Sequence, residues 1–139
     1  IDIHLATVDN LAVEYGGRFD PPESVRERME AMVADGRAGA KDGEGFFVWE
    51  NGEAVLPDVD DPHDVQPIVA ALVNEAHRMV ADGVADRETL NEILKRGSGG
   101  AMGPFDIEGM VGDDVLRDVL ESRYEETGAG VFEPAETLG

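Results

Sequence analysis

Two cations sit inside a run of glycines at residues 36–45: Gly36, Arg37, Gly39, Lys41, Gly43 and Gly45. Glycine lets a backbone approach an anion closely, and Arg37 and Lys41 would neutralise it, so phosphate recognition is the chemistry this segment suggests. A second glycine run, Gly97-Ser98-Gly99-Gly100-Ala101-Met102-Gly103, precedes Pro104 and a helical pattern. A helix N-terminus there would offer an anion seat. It lacks the Lys-Ser/Thr of a P-loop and has no evident strand before it, so it reads as an interhelical turn. Asp58, Asp60, Asp61 and Asp64 offer oxygens to a hard cation, but the glycine and terminal glutamate of an EF-hand loop are missing. They read as a solvated linker, and no metal site is expected. His4, His63 and His77 have no obvious carboxylate or nucleophile partner, and His77 reads as a packed, hydrogen-bonded side chain. Asn74 lies mid-helix among apolar neighbours beside Glu75. A buried Asn needs partners, so Asn74 either fixes a helix–helix contact or faces a ligand. No Ser/His/Asp set and no acid–base carboxylate pair stands out, so no catalytic residue is expected in this chain.

The elements that position these residues read as helices. Ile3, Leu5, Val8, Leu11, Ala12 and Tyr15 recur at steps of three and four, which predicts a helix over 2–15, stopped by Gly16-Gly17. Asp20-Pro21-Pro22-Glu23 predicts a second start, with Asp20 as cap, Pro21 at the first helical position and Glu23 reaching back. That helix runs to about Asp35, with Val25, Met29, Met32 and Val33 on one face and Gly36 ending it. The aromatic cluster Phe46-Phe47-Val48-Trp49 reads as an anchor for the glycine segment. Asn51-Gly52 predicts a small hairpin near 46–56. Ile68, Val69, Leu72, Val73, Ala76, Met79 and Val80 predict a buried helix face over 65–82. A shorter helix follows, capped by Asp86 and closed by Gly97. Pro104 opens another through Met110, and Gly112-Asp113 starts the last. The fold class is all-α, a helical bundle with little or no sheet. Gly17, Phe19 and Pro21 recur as Gly130, Phe132 and Pro134 at a constant offset of 113, a short internal match.

The totals exclude several classes. The 139 residues suit one ordinary domain and are too few for a cofactor domain plus a substrate domain. The chain begins at Ile1, which suggests a fragment or a processed chain; no signal-peptide pattern is evident. No apolar run approaches the roughly 18 residues of a membrane span. There is no cysteine, which excludes disulfides and thiolate chemistry. Net charge is −20, from 31 acidic and 11 basic residues, so nucleic acid is not an expected partner. Hydrophobic content of 42% argues for a folded domain with an acidic coat. Only two lysines, Lys41 and Lys95, accompany that load. The pattern points to a protein that works in concentrated salt, where a Debye length of about 3 Å at 1 M leaves surface carboxylates little mutual repulsion.

The run Gly36-Arg37-Ala38-Gly39-Ala40-Lys41-Asp42-Gly43-Glu44-Gly45-Phe46-Phe47 resembles the Gly-Arg-x-Gly-x-Lys-x-Gly-x-Gly-Phe-Tyr motif of 3-hydroxyacyl-CoA dehydrogenases. Phe47 stands where Tyr is frequent. Leu72-Val73-Asn74-Glu75-Ala76, Asp82-Gly83-Val84-Ala85 and Gly103-Pro104-Phe105-Asp106 resemble the C-terminal repeat of the same family, in spacing and order. The resemblance covers nearly the whole chain. It implies the family's C-terminal fold, which is like that of the 6-phosphogluconate dehydrogenase C-terminal domain. The implied division is the end of a first helical repeat at 1–35, a connector and acidic linker at 36–64, and a second repeat at 65–139. It further implies a cytoplasmic parent enzyme that oxidises the 3-hydroxyl of an acyl-CoA with NAD in fatty-acid β-oxidation. The Rossmann domain, the catalytic His–Glu pair and most of the first repeat would lie upstream, so no residue here is expected to bind NAD and the piece alone is expected to be inactive. The resemblance puts Asn74 at the place comparable to the family's substrate-side Asn, although Glu75 follows it where the family has Arg; Arg37 and Lys41 are further substrate candidates as cations that would meet the CoA phosphates. The implied role is scaffold and interface, with acyl-CoA and a homodimer partner belonging to the parent. A non-enzymatic acidic interaction module, or a direct CoA-binding module using Arg37 and Lys41, are the other readings.

Overall fold

A computed structural model describes residues 1–58 and 63–139. They fall into two compact units, 1–63 and 64–139. The described residues form six α-helices and one two-stranded antiparallel hairpin, an all-α architecture as expected. Asp60 and Asp61 of the expected acidic linker lie outside the described residues.

The first unit holds α1 (Asp2–Tyr15) and α2 (Glu23–Ala34), followed by a hairpin of β1 (Val48–Glu50) and β2 (Glu53–Val55). Its buried apolar residues are few: Val8, Met29, Met32 and Ala38. α2 begins later than the sequence predicts. Pro22 is its N-cap at φ −49°, ψ 143°, and no side chain caps it. The reason is Pro22 itself, whose ring keeps the preceding Pro21 out of helical geometry. Asp20 instead accepts a hydrogen bond from Arg26 at 3.2 Å, and Arg26 also reaches Asp9 on α1 at 3.0 Å. In the hairpin, Asn51 and Gly52 carry φ of 54° and 85°, the type I′ turn their pairing favours, and Trp49 faces Ala54 across the strands.

The second unit holds α3 (Gln66–Ala81), α4 (Arg87–Ser98), α5 (Pro104–Val111) and α6 (Asp113–Thr127), then a 3-10 turn at Gly130–Phe132 and an extended tail. Its core joins Ala70 and Val73 of α3, Leu116 and Leu120 of α6, and Ala135 and Leu138 of the tail. Two expectations are corrected. Gly97 lies inside α4 and does not close it; the left-handed Gly99 at φ 68° does. The buried stripe of α3 is also rotated from the one predicted. Val73 and Ala76 are buried as predicted, but the stripe also takes in Pro67, Ala70, Asn74 and His77, while Ile68 is 73% exposed and Leu72 is exposed as well. Helical periodicity finds a stripe by counting apolar side chains, and here two polar ones occupy the inside.

Candidate functional site

Asn74 is buried to 0% exposure, and its amide is fully engaged. Nδ2 donates to the carbonyls of Val131 at 3.2 Å and Glu133 at 2.9 Å, and Oδ1 accepts the Ala135 N–H at 2.7 Å. One turn later Arg78 donates to the same Glu133 carbonyl. The short 3-10 turn and the turn that closes on Leu138 satisfy only part of the tail's backbone, and Asn74 supplies both donor and acceptor to groups they leave over. The sequence offered a helix–helix contact or a ligand for Asn74; the contact the structure shows is between α3 and the tail, with both Nδ2 hydrogens and one lone pair of Oδ1 used in it.

His77, one helical turn beyond Val73, is also buried. Its Nε2 lies 2.6 Å from Glu108 Oε1 on α5, and its Nδ1 lies 3.1 Å from the Thr137 hydroxyl in the tail. The other Glu108 oxygen accepts from Arg87 at the start of α4. The Arg87 guanidinium covers the Phe105 ring at 4.0 Å, and the same ring meets His77 edge-on at 5.5 Å. A carboxylate accepts only, so His77 Nε2 is the donor to Glu108, and the Thr137 hydroxyl, which can both donate and accept, partners Nδ1. Glu108 is buried with a partner on each oxygen, which is the condition for keeping a carboxylate inside. The set locks α3, α4, α5 and the tail together.

Gly103, Pro104 and Phe105 make that corner possible. A Cβ on Gly103 would lie 2.5 Å from the Asn91 backbone oxygen on α4, so only glycine fits there. Asn91 Oδ1 accepts the Phe105 N–H at 3.0 Å, and Asp106 Oδ2 accepts the Gly103 N–H at 3.0 Å. Pro104 is buried at the first position of α5, where its missing N–H leaves nothing unsatisfied. The Gly103 N–H, then the Asn91 side chain, hold the Asp106 carboxyl below its usual range. The loop before α5 is thus closed on α4 by its own residues.

In the first unit, Gly36 ends α2 with a left-handed backbone, and the Arg37 N–H returns to Met32 O at 2.8 Å. Gly39 at φ 125° is in a region that side chains avoid. A Cβ on Gly45 would meet Gly39 Cα at 2.9 Å, so the two glycines let the segment fold back on itself, and the left-handed Gly43 completes the turn. Arg37 pairs with Asp35 at 3.2 Å and Glu44 at 3.9 Å. Lys41 pairs with Asp2, a contact that first raises the Lys41 pKa and first lowers that of Asp2. Both expected phosphate partners therefore face carboxylates of their own unit. Phe46 and Phe47 are not the buried anchors their sequence suggests, at 51% and 42% exposed. Phe46 lies beneath the Arg28 guanidinium at 5.6 Å, since so small a core leaves it no interior to enter.

The comparison with known families decides the kinship. The sequence model of the 3-hydroxyacyl-CoA dehydrogenase C-terminal domain matches residues 65–139, more than half of the chain. The chain belongs to the 3-hydroxyacyl-CoA dehydrogenase family. It is 36% identical over 64 residues to a 3-hydroxybutyryl-CoA dehydrogenase of Clostridioides difficile, covering 46% of this chain and 23% of that protein. Probable 3-hydroxybutyryl-CoA dehydrogenases of Deinococcus radiodurans and Bacillus subtilis are 30% and 28% identical over 71 residues, covering 51% of this chain and 26% and 25% of theirs. The chain spans about a quarter of the length of these curated relatives. The two strands described here pair antiparallel in a hairpin, which is not the parallel strand–helix–strand crossover that seats a dinucleotide pyrophosphate. Among the described residues no such crossover is present to seat NAD.

Sequence reasoning missed Glu108 and Arg87. Glu108 falls four residues after Pro104, on the same helix face as that buried proline. An acidic residue in register with a buried position was the available signal. Nothing in the sequence marked Arg87 as its partner, because the pair spans 21 residues.

Proposed function

We propose that this chain is the C-terminal helical portion of an NAD-dependent 3-hydroxyacyl-CoA dehydrogenase of fatty-acid β-oxidation, in a salt-adapted cell's cytoplasm. Its 1–35 segment ends a first helical repeat, 36–64 connects, and 65–139 is a second repeat. The piece is scaffold and interface, without a catalytic residue of its own, and a homodimer contact of the parent is among its roles. The match over 65–139 carries the reading. It is supported by the commitment of Asn74 and His77 to the tail and of Arg37 and Lys41 to neighbouring carboxylates. The described residues include no helix long and apolar enough to cross a membrane.

The test compares the full-length gene product with the 139-residue chain. Oxidation of 3-hydroxybutyryl-CoA, followed as NADH formation in molar salt, is expected for the full-length protein and absent for the chain. Calorimetric titration of the chain with acetoacetyl-CoA should give no binding. Robust binding that is lost in an Arg37→Ala/Lys41→Ala double variant would overturn the scaffold assignment.

A further inference from the structure

Asn51 and Gly52 shape the hairpin turn, and the same pair carries a reaction of its own. An asparagine side chain ends in an amide whose carbon, Cγ, can be attacked by the backbone nitrogen of the next residue, closing a five-membered ring. A side chain on that next residue hinders the attack, and Gly52 has none. Both residues are exposed, and nothing lies within 4 Å of where a Cβ on Gly52 would stand. The ring and an incoming water therefore have room. The other asparagines, Asn10, Asn74 and Asn91, precede Leu11, Glu75 and Glu92, and each lies within a helix.

The closed turn blocks this reaction. Asn51 has φ 54°, and the type I′ turn sets its ψ at about +30°. At that ψ the Gly52 nitrogen stands across the Cα–C bond from Cβ, out of reach of Cγ, so ring closure needs the turn to open. The hairpin is weakly held. Each strand has three residues, and a two-stranded hairpin standing alone is marginal in water. Val48 faces Val55 and Trp49 faces Ala54, but the rung that closes the turn is Glu50 opposite Glu53, both exposed. Like charges directly opposite destabilise a strand pair, and salt screens exposed charges.

We infer that Asn51 is a site of spontaneous covalent rearrangement, gated by salt through the Glu50–Glu53 rung. In dilute salt the rung repels, the turn opens, and the Gly52 nitrogen attacks Asn51 Cγ. The new N–Cγ bond forms, the Cγ–Nδ2 bond breaks, and the Gly52 N–H proton leaves with Nδ2 as ammonia. Water then opens the succinimide at either carbonyl, with no oxidant or reductant involved. One product is aspartate. The other is isoaspartate, whose main chain runs through Cβ and Cγ. Each adds a carboxylate beside Glu50 and Glu53, and isoaspartate adds a backbone carbon that a two-residue turn does not absorb. The opened hairpin does not close again, and the molecule keeps a permanent mark of its time in dilute salt.

The test incubates the purified full-length gene product in mildly alkaline buffer at 0.1 M and 2 M NaCl. Peptide mass spectrometry with electron-transfer fragmentation then separates isoaspartate from aspartate. Asn51 is expected to convert about fivefold faster in 0.1 M NaCl, in step with the population of the open hairpin, while Asn10, Asn74 and Asn91 stay intact. Glu53→Gln should remove most of the salt dependence. Asn51→Gly keeps a residue suited to the turn and has no amide to lose. Its hairpin should keep its hydrogen-exchange protection after the same incubation, while the unaltered protein loses it in proportion to conversion. No conversion of Asn51 in 0.1 M NaCl, equal rates in the two salts, or aspartate without isoaspartate overturns the inference, as does a salt dependence that survives Glu53→Gln.

Discussion

At the scale of single residues, the polar side chains that look ready for chemistry are the ones that hold the second unit together. Asn74 shows how strong that use is. Asn74→Ala leaves the Val131 carbonyl and the Ala135 N–H without partners, each costing about 1–3 kcal/mol where water cannot reach, while the Glu133 carbonyl keeps its bond from Arg78. The expected loss is about 2–4 kcal/mol. Arg37→Ala removes only exposed ion pairs and should cost under about 1 kcal/mol. Urea titration of both variants in molar salt checks the ranking, and equal midpoints would show that the tail is not clamped as described. The sequence carried half of this. It marked Asn74 and His77 as buried polar residues in need of partners, but Glu108 lies 31 residues from His77 and the other partners lie about 60 residues away in a tail without periodicity. Backbone carbonyls have no sequence signature, so the clamp itself was not legible.

Among elements, helix existence was readable because apolar spacing and caps agree, while helix ends depended on individual glycines and prolines. Asp86 was a legible cap, and it accepts the Thr89 N–H at 2.8 Å. Gly97 and Gly103 look alike in sequence and differ in structure. Gly97 sits within α4 with nothing within 4 Å of an added Cβ, so Gly97→Ala should stabilise by about 0.4–1 kcal/mol. Gly103 touches the Asn91 backbone, so Gly103→Ala should cost about 3 kcal/mol or more and release α5 from α4. Thermal melts of the two variants should move in opposite directions. A destabilised Gly97→Ala would restore Gly97 as the end of the helix. The caps also set an acid limit. The Thr89 N–H, then its hydroxyl, lower the Asp86 pKa, and the Gly103 N–H, then the Asn91 side chain, lower that of Asp106. A folded-state pKa below the unfolded value adds stability that is present above about pH 3.9, the ordinary Asp value, and is lost as pH falls through the lowered one. In 2 M salt, melting temperature should therefore fall on that acid limb, and an Asp86→Asn/Asp106→Asn variant should fall less steeply. Identical slopes would remove the caps from the account.

For the whole molecule, two electrostatic effects oppose each other, and salt separates them. The ion pairs are mostly exposed, among them Arg26 with Asp9 and Glu30, Arg96 with Glu92, and Arg123 with Glu126. Each contributes at most about 1 kcal/mol, and salt weakens it. Against them stand 31 acidic residues facing 11 basic ones, a net charge of −20 whose self-repulsion disfavours the folded state. Even if every cation were paired, the excess carboxylates would remain, so screening removes more repulsion than attraction. The first unit, with four buried apolar side chains among its described residues, has the smaller reserve against that repulsion. Raising NaCl from 0.1 to 2 M shortens the Debye length from about 10 Å to under 3 Å. The melting temperature should rise across that range, with hydrogen-exchange protection of 1–58 gaining more than that of 64–139. Non-ionic sucrose should not reproduce the gain at matched water activity, because it leaves the carboxylates unscreened. A melting temperature that is flat in salt, or equal gains in NaCl and sucrose, would reduce the acidic coat to ordinary surface composition.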